Sequence, residues 1–148
     1  MRKKLLLGLL ACLSFLWFGT HQQVHAAEGA GFTISPALPQ NQIDQSTYFN
    51  LLVKPGETQR LLIYVKNTTK TAKKLKVSPV SAFTQTNGTI GYYPNDHKDN
   101  SAEYTFSQLA GEPKTIDLAG EAQVPVTFDV KIPAKGFTGQ ILGSLYVE

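Results

Sequence analysis

Apolar and polar residues alternate through much of the chain after Gly31. The clearest run is residues 122–132. There Val124, Val126, Phe128, Val130 and Ile132 occupy every second position, opposite Gln123, Thr127, Asp129 and Lys131. A period of two marks a strand with one covered face. Residues 59–67 repeat it, with Leu61, Ile63 and Val65 on one face and Arg60, Leu62, Tyr64 and Lys66 on the other. Residues 73–82 place Leu75 and Val77 inward and Lys74, Lys76 and Ser78 outward, and Pro79 predicts an edge or a break.

Shorter segments complete the pattern. Phe32-Thr33-Ile34 reads as a first strand, which Pro36 and Pro39 are expected to stop from pairing further. Residues 48–53 are a second apolar stretch. Thr115-Ile116-Asp117-Leu118 is a strand, and residues 140–147 are the last one. Tyr104-Thr105-Phe106 fits either a short strand or one helical turn. Turn chemistry separates these runs. Lys54-Pro55-Gly56-Glu57 suits a type II turn, and Thr86-Asn87-Gly88-Thr89 suits a hairpin. Gly139 and Gly143 fall in a β-patterned run and are expected to allow close approach of neighbouring strands. Strands spaced about 8–12 residues apart predict an all-β, immunoglobulin-like β-sandwich, with a barrel as the main alternative. No apolar period of 3.6 residues predicts a substantial helix.

The first 27 residues obey other rules. Arg2, Lys3 and Lys4 precede an apolar run from Leu5 to Gly19, then a polar stretch ending in Ala26 and Ala27. This is the pattern of a helical, cleavable signal peptide, with cleavage expected after Ala26 or Ala27. The apolar run is shorter than the roughly 20 residues a membrane span needs. An uncleaved anchor and a lipoprotein-type cleavage before Cys12 are weaker alternatives. Residues 28–148 then form one domain, and the membrane is met only through the leader during export.

Removing the leader removes the whole excess of positive charge. The 14 Lys and Arg include Arg2, Lys3 and Lys4, so the remainder balances the 11 Asp and Glu. A neutral domain offers no charge argument for nucleic acid. Cys12, the only cysteine, also leaves, so neither a disulfide nor a thiolate site is available. Of three histidines only His97 remains, beside Asp96 and Asp99 in a polar loop. That spacing is ordinary for a solvated loop, and no metal or other cofactor is expected. Acidic residues such as Glu57, Glu112, Glu121 and Asp129 fall mostly at turns or outward positions. They do not suggest the paired carboxylates of a glycosidase, and no enzyme is expected. Lys70, Lys73, Lys74 and Lys76 form a basic cluster that reads as a solvated face. What remains is exposed rings and amides, suited to a glycan or protein surface.

Several fragments in order carry a resemblance. They are Asn41-Gln42; Tyr48-Phe49-x-Leu; Val53-x-Pro-Gly-Glu; a strand ending in Asn67; Ala82-Phe83-Thr84-x-x-Asn87-Gly88-x-Ile90-x-Tyr92; and Pro133 followed by Phe137-x-Gly-x-Ile-x-Gly143. Together they resemble the N-terminal, peptidoglycan-binding domain of the WxL-interacting proteins, surface proteins of Gram-positive bacteria. The resemblance implies an immunoglobulin-like sandwich that binds peptidoglycan at the cell wall and cooperates with WxL-domain surface proteins. It also implies a secreted or wall-bound location. Family members usually continue into a second β domain and a membrane span, so a truncated or fragmentary member is expected here. The resemblance supplies no binding residues. Among matching positions, Asn41, Gln42, Tyr48, Asn87, Tyr92 and Tyr93 have side chains suited to binding. Pro55, Gly56, Gly88, Gly139 and Gly143 are assigned to turns and close approaches. The alternative function is a protein-interaction module that docks a surface partner by strand addition, without touching glycan.

Overall fold

The computed structural model describes residues 29–96 and 101–148. The expected leader with its cleavage at Ala26 or Ala27, and the loop residues His97 and Asp99, lie outside the described residues.

The described residues are nearly all β. The strands are β1 (Phe32–Ala37), β2 (Thr58–Asn67), β3 (Lys73–Ser81), β4 (Phe83–Thr84), β5 (Ile90–Gly91), β6 (Lys114–Leu118), β7 (Gln123–Lys131) and β8 (Gly143–Val147). One five-residue helix, α1 (Phe106–Ala110), lies between β5 and β6. Two three-stranded antiparallel sheets form, ordered β1-β2-β7 and β6-β3-β8, and β4 and β5 pair as a separate hairpin. The sheets are open, which removes the barrel alternative.

The two sheets share one core, as the alternation requires. Ile63, Val65, Val126 and Phe128 of one sheet pack with Leu75, Val77 and Leu118 of the other. Phe128 is 1% exposed and Val65 is fully buried. A second cluster continues the core toward one end: Leu61, Val130 and Ile132 meet Ala110 of α1, with Phe49, Leu51 and Val53 packed against them. The apolar stretch 48–53 therefore closes the core without joining a sheet. Among the described residues, its only pairing is the bridge between Gln42 and Leu51.

Hydrogen-bond alternation explains the prolines. Thr68 N–H donates to the Gly31 carbonyl. Counting along the ladder, Pro36, opposite Ile63, falls at a position that does not bond β2. The missing N–H faces the free edge, so β1 continues to Ala37, beyond the break expected at Pro36. Pro125 occupies the same kind of slot in β7, opposite Tyr64. In β3 the ladder to β6 ends at Val77, two residues before Pro79, while pairing with β8 continues to Ser81.

Two further expectations are corrected. Ser78, expected outward, is buried, and its Oγ finds no partner. The chain leaving β5 is fastened at this end of the sheet: Ser144, which pairs with Val80, donates to the Tyr92 carbonyl at 2.7 Å. The last strand starts at Gly143, because β3 ends at Ser81 and offers residues 140–142 only the Ala82 N–H to Leu142 carbonyl bond.

Asn67 closes the opposite end. Its side chain is wholly buried. The amide donates to the Thr71 carbonyl at 2.8 Å and the Ala119 carbonyl at 3.1 Å. Its oxygen accepts from the Thr69 N–H at 2.9 Å and the Thr69 hydroxyl at 2.8 Å. One side chain thus ties the β2–β3 turn to the β6–β7 turn. Gly120 makes that approach possible, since a Cβ there would lie 2.0 Å from the Lys70 carbonyl oxygen.

Three substitutions test this account by urea denaturation. Asn67→Ala leaves several carbonyls and an N–H unsatisfied and is expected to cost about 2–4 kcal/mol. Gly120→Ala presses against backbone that cannot rotate away and should cost about 1–3 kcal/mol. Phe128→Ala opens the middle of the core and should cost about 3–5 kcal/mol.

Candidate functional site

The six side chains proposed for binding fall into two groups. Asn41, Gln42 and Tyr48 lie on the irregular connection between β1 and β2. Here the amides hold the loop together. Asn41 Nδ2 donates to the Leu52 carbonyl at 2.9 Å and to Gln59 Oε1 at 2.7 Å. Gln42 Nε2 donates to the Tyr48 carbonyl at 2.9 Å, and Gln42 Oε1 accepts the Asn50 N–H at 2.9 Å. Asp44 accepts from the Ser46 hydroxyl, the Ser46 N–H and Asn50 Nδ2. These bonds, the Ser46 hydroxyl foremost, hold its carboxyl below the usual range. The Asn41 and Gln42 side chains therefore brace the chain. Tyr48 differs: 64% of its surface is exposed.

Asn87, Tyr92 and Tyr93 lie on or beside the β4–β5 hairpin. Asn87 Oδ1 accepts from the Thr89 N–H at 3.0 Å and its hydroxyl at 2.8 Å, so this oxygen shapes the turn. Gly88 (φ 82°) follows it, and its N–H donates to the Gln85 carbonyl. Tyr92 and Tyr93 are both partly exposed. The Tyr93 ring meets Phe83 edge-on, with centroids 5.0 Å apart and planes at 87°. Such an edge-to-face pair fixes both rings. Phe83 also lies across Gly91, where a Cβ would come within 2.6 Å of the ring.

Beside this hairpin runs a shallow groove of about 230 Å³. The β3–β4 junction with Phe83 and Thr84 forms one wall, with Ile90 of β5. Tyr104 and Thr105, at the entry to α1, and residues 140–142 complete it. The groove depends on the seating of α1. The Ser107 N–H donates to Ser81 Oγ at 3.0 Å, and the two serine hydroxyls are 2.8 Å apart. The Thr105 N–H donates to Gln108 Oε1 at 3.0 Å, which caps the first turn. The neighbouring Glu103 pushes the Tyr104 pKa up.

The turn residues divide. Gly56 (φ 76°) follows Pro55 in the expected turn, with the Glu57 N–H bonded to the Lys54 carbonyl at 3.3 Å. Gly143 does permit a close approach, but to a helix: its absent Cβ would lie 2.4 Å from the Phe106 ring. Gly139 has nothing within 4 Å of an added Cβ, so it serves its positive φ of 94° and no strand contact. The basic cluster is partly neutralised, Lys74 by Asp117 and Lys76 by Glu148, each at 3.6 Å. Arg60 and Asp129, 2.9 Å apart, hold each other charged: the bond lowers the Asp129 pKa and raises that of Arg60.

Of the groove's surroundings, sequence reasoning counted Tyr104 and Gln140 among the candidate rings and amides but chose neither for binding, and it passed over Phe83 and Gly91. A glycine between Ile90 and Tyr92, across a short hairpin from Phe83, was the available signal. The groove combines rings, apolar side chains, hydroxyls and one amide, a set suited to holding a ligand without covalent chemistry.

The family described as WxL Interacting Protein, peptidoglycan binding domain, matches residues 32–148. No curated protein and no solved structure matches the chain. The match runs from the first residue of β1 through the end of β8 and so takes in both sheets, the hairpin and the groove. By that match, the chain belongs to the WxL-interacting protein family, through its peptidoglycan-binding domain.

Proposed function

We propose that residues 28–148 form a non-catalytic wall-binding module on an immunoglobulin-like β-sandwich. The module acts outside the membrane, on a secreted or wall-bound protein of a Gram-positive cell, and takes peptidoglycan in the groove beside the β4–β5 hairpin. The family is described by binding and not by a reaction. The observation that carries the choice of site is the ring arrangement. Phe83 is immobilised between Gly91 and Tyr93 and faces the groove. Preset rings lose little freedom when a ligand stacks on them. Asn41, Gln42 and Asn87 then act as scaffolding for their loops, and Tyr48 stands on a separate exposed surface.

A second reading rests on β8. In its ladder with β3, Glu148 and Lys76 exchange both backbone bonds. The alternation therefore turns the N–H and C=O groups of Gly143, Leu145 and Val147 toward the free edge. The other sheet edges carry Pro36, Pro125 or Lys114, which discourage pairing, while residues 143–147 carry neither proline nor charge. On the same flank Ile34 shares the inward face with Val65 yet is 44% exposed. This edge suits docking of a WxL-domain partner by strand addition, alongside wall binding.

Two measurements check these readings. In a pull-down on purified, protein-free peptidoglycan, the wild-type domain is expected to be retained, and Tyr92→Ala with Tyr93→Ala should weaken retention about tenfold with the fold intact. Undiminished retention by the folded double variant refutes this site. Val147→Pro removes an outward N–H without breaking a β3 bond. It should leave wall retention unchanged and abolish capture of a WxL-domain protein; capture at wild-type strength refutes docking at β8.

A further inference from the structure

Peptidoglycan presents two chemistries: neutral glycan strands built of N-acetylated sugars, and stem peptides bearing ionised carboxylates and amines. Resting on the reading that the hairpin groove binds the wall, we propose that the groove takes an N-acetylated sugar unit of the glycan and not the stem peptide.

Charge is the first argument. No lysine, arginine, aspartate or glutamate lines the groove among the described residues. A stem-peptide carboxylate placed there would lose water without gaining a cation, and an ammonium would meet no lining carboxylate. Burying either charge unpaired is costly.

The second argument is the pattern of the walls. Phe83, Ile90 and Leu142 supply apolar surface, whereas Thr84 and Gln140 supply polar groups. Among the described residues, no hydrogen bond occupies the side chains of Thr84 and Gln140, in contrast to Asn41, Gln42 and Asn87. A pyranose has an apolar C–H face and a polar rim. Its acetamido group adds a methyl, one N–H and one C=O. A free carboxamide such as that of Gln140 can donate to that carbonyl and accept from that N–H.

Size is the third. The groove, at about 230 Å³, is smaller than the roughly 300–1,000 Å³ of sites that enclose a whole drug-sized ligand. It suits one sugar of a polymer that continues past the exposed Tyr92 and Tyr93. Binding at one groove should be weak, with retention on the wall supported by its repeating units.

The test uses the full chain and three probes: intact protein-free peptidoglycan, neutral oligomers of N-acetylglucosamine, and stem peptides released from the wall by an amidase. The neutral glycan should bind and should compete with the intact wall, while stem peptides should do neither. Retention should persist in 1 M salt, at which charge pairing is screened within about 3 Å. Gln140→Ala, at a site outside both sheets, should weaken glycan binding about fivefold with an unchanged unfolding curve. Competition by stem peptides but not glycan, or release by salt, overturns the sugar assignment while wall binding stands. Unaltered glycan affinity in the Gln140 variant overturns it as well. Failure to bind intact peptidoglycan instead overturns the wall-binding reading itself.

Discussion

The placement of α1 governs how the fold becomes a site. Five residues cannot sustain a helix alone, because nucleation costs more than so few internal bonds return. This one exists because both its ends are fastened. Ser107 is bonded to Ser81 at the end of β3, and the Phe106 ring fills the space that Gly143 leaves at the start of β8. Ala110 enters the core cluster with Leu61, Val130 and Ile132. The helix thus plugs the end of the core, and its seating fixes Tyr104 and Thr105 opposite the hairpin. The groove is a by-product of closing a disulfide-free core.

The ladders set what the edges can do. Pro36 and Pro125 both sit where their missing N–H costs no bond, and both mark edges that face solvent. β8 lacks such protection: residues 143–147 carry neither proline nor charge. In the proposed reading, wall binding and partner docking use different parts of the domain: the groove held by α1, and an open strand edge. Neither reading requires the other to fail.

Much of the fold was legible in the sequence, because β2 and β7 each bury one face and show it as strict alternation. Val126, Phe128 and Val130 sit where their spacing put them. Short-range signals also held, as at Pro55-Gly56 and Asn87-Gly88. What failed was information that lies between segments. Ser78 alternates outward, yet it is buried. Asn67 looked like the end of a strand, although its amide joins two distant turns. The groove draws on three stretches of chain, none of which announces a site. The conspicuous amides of Asn41 and Gln42 bond within their own loop and to Gln59 of β2. Side-chain type alone cannot separate an amide that binds a ligand from one that braces a loop; only its partners in the folded chain do.

The central claim is that the wall polymer meets the protein at the groove between the hairpin and α1. Amide chemical-shift mapping of the labelled domain, titrated with soluble peptidoglycan fragments, tests it most directly. The account predicts that the largest shifts cluster at Phe83, Thr84, Ile90, Gly91, Tyr104 and Gln140. Shifts confined to the loop around Asn41, Gln42 and Tyr48, or along the free edge of β8, would contradict it.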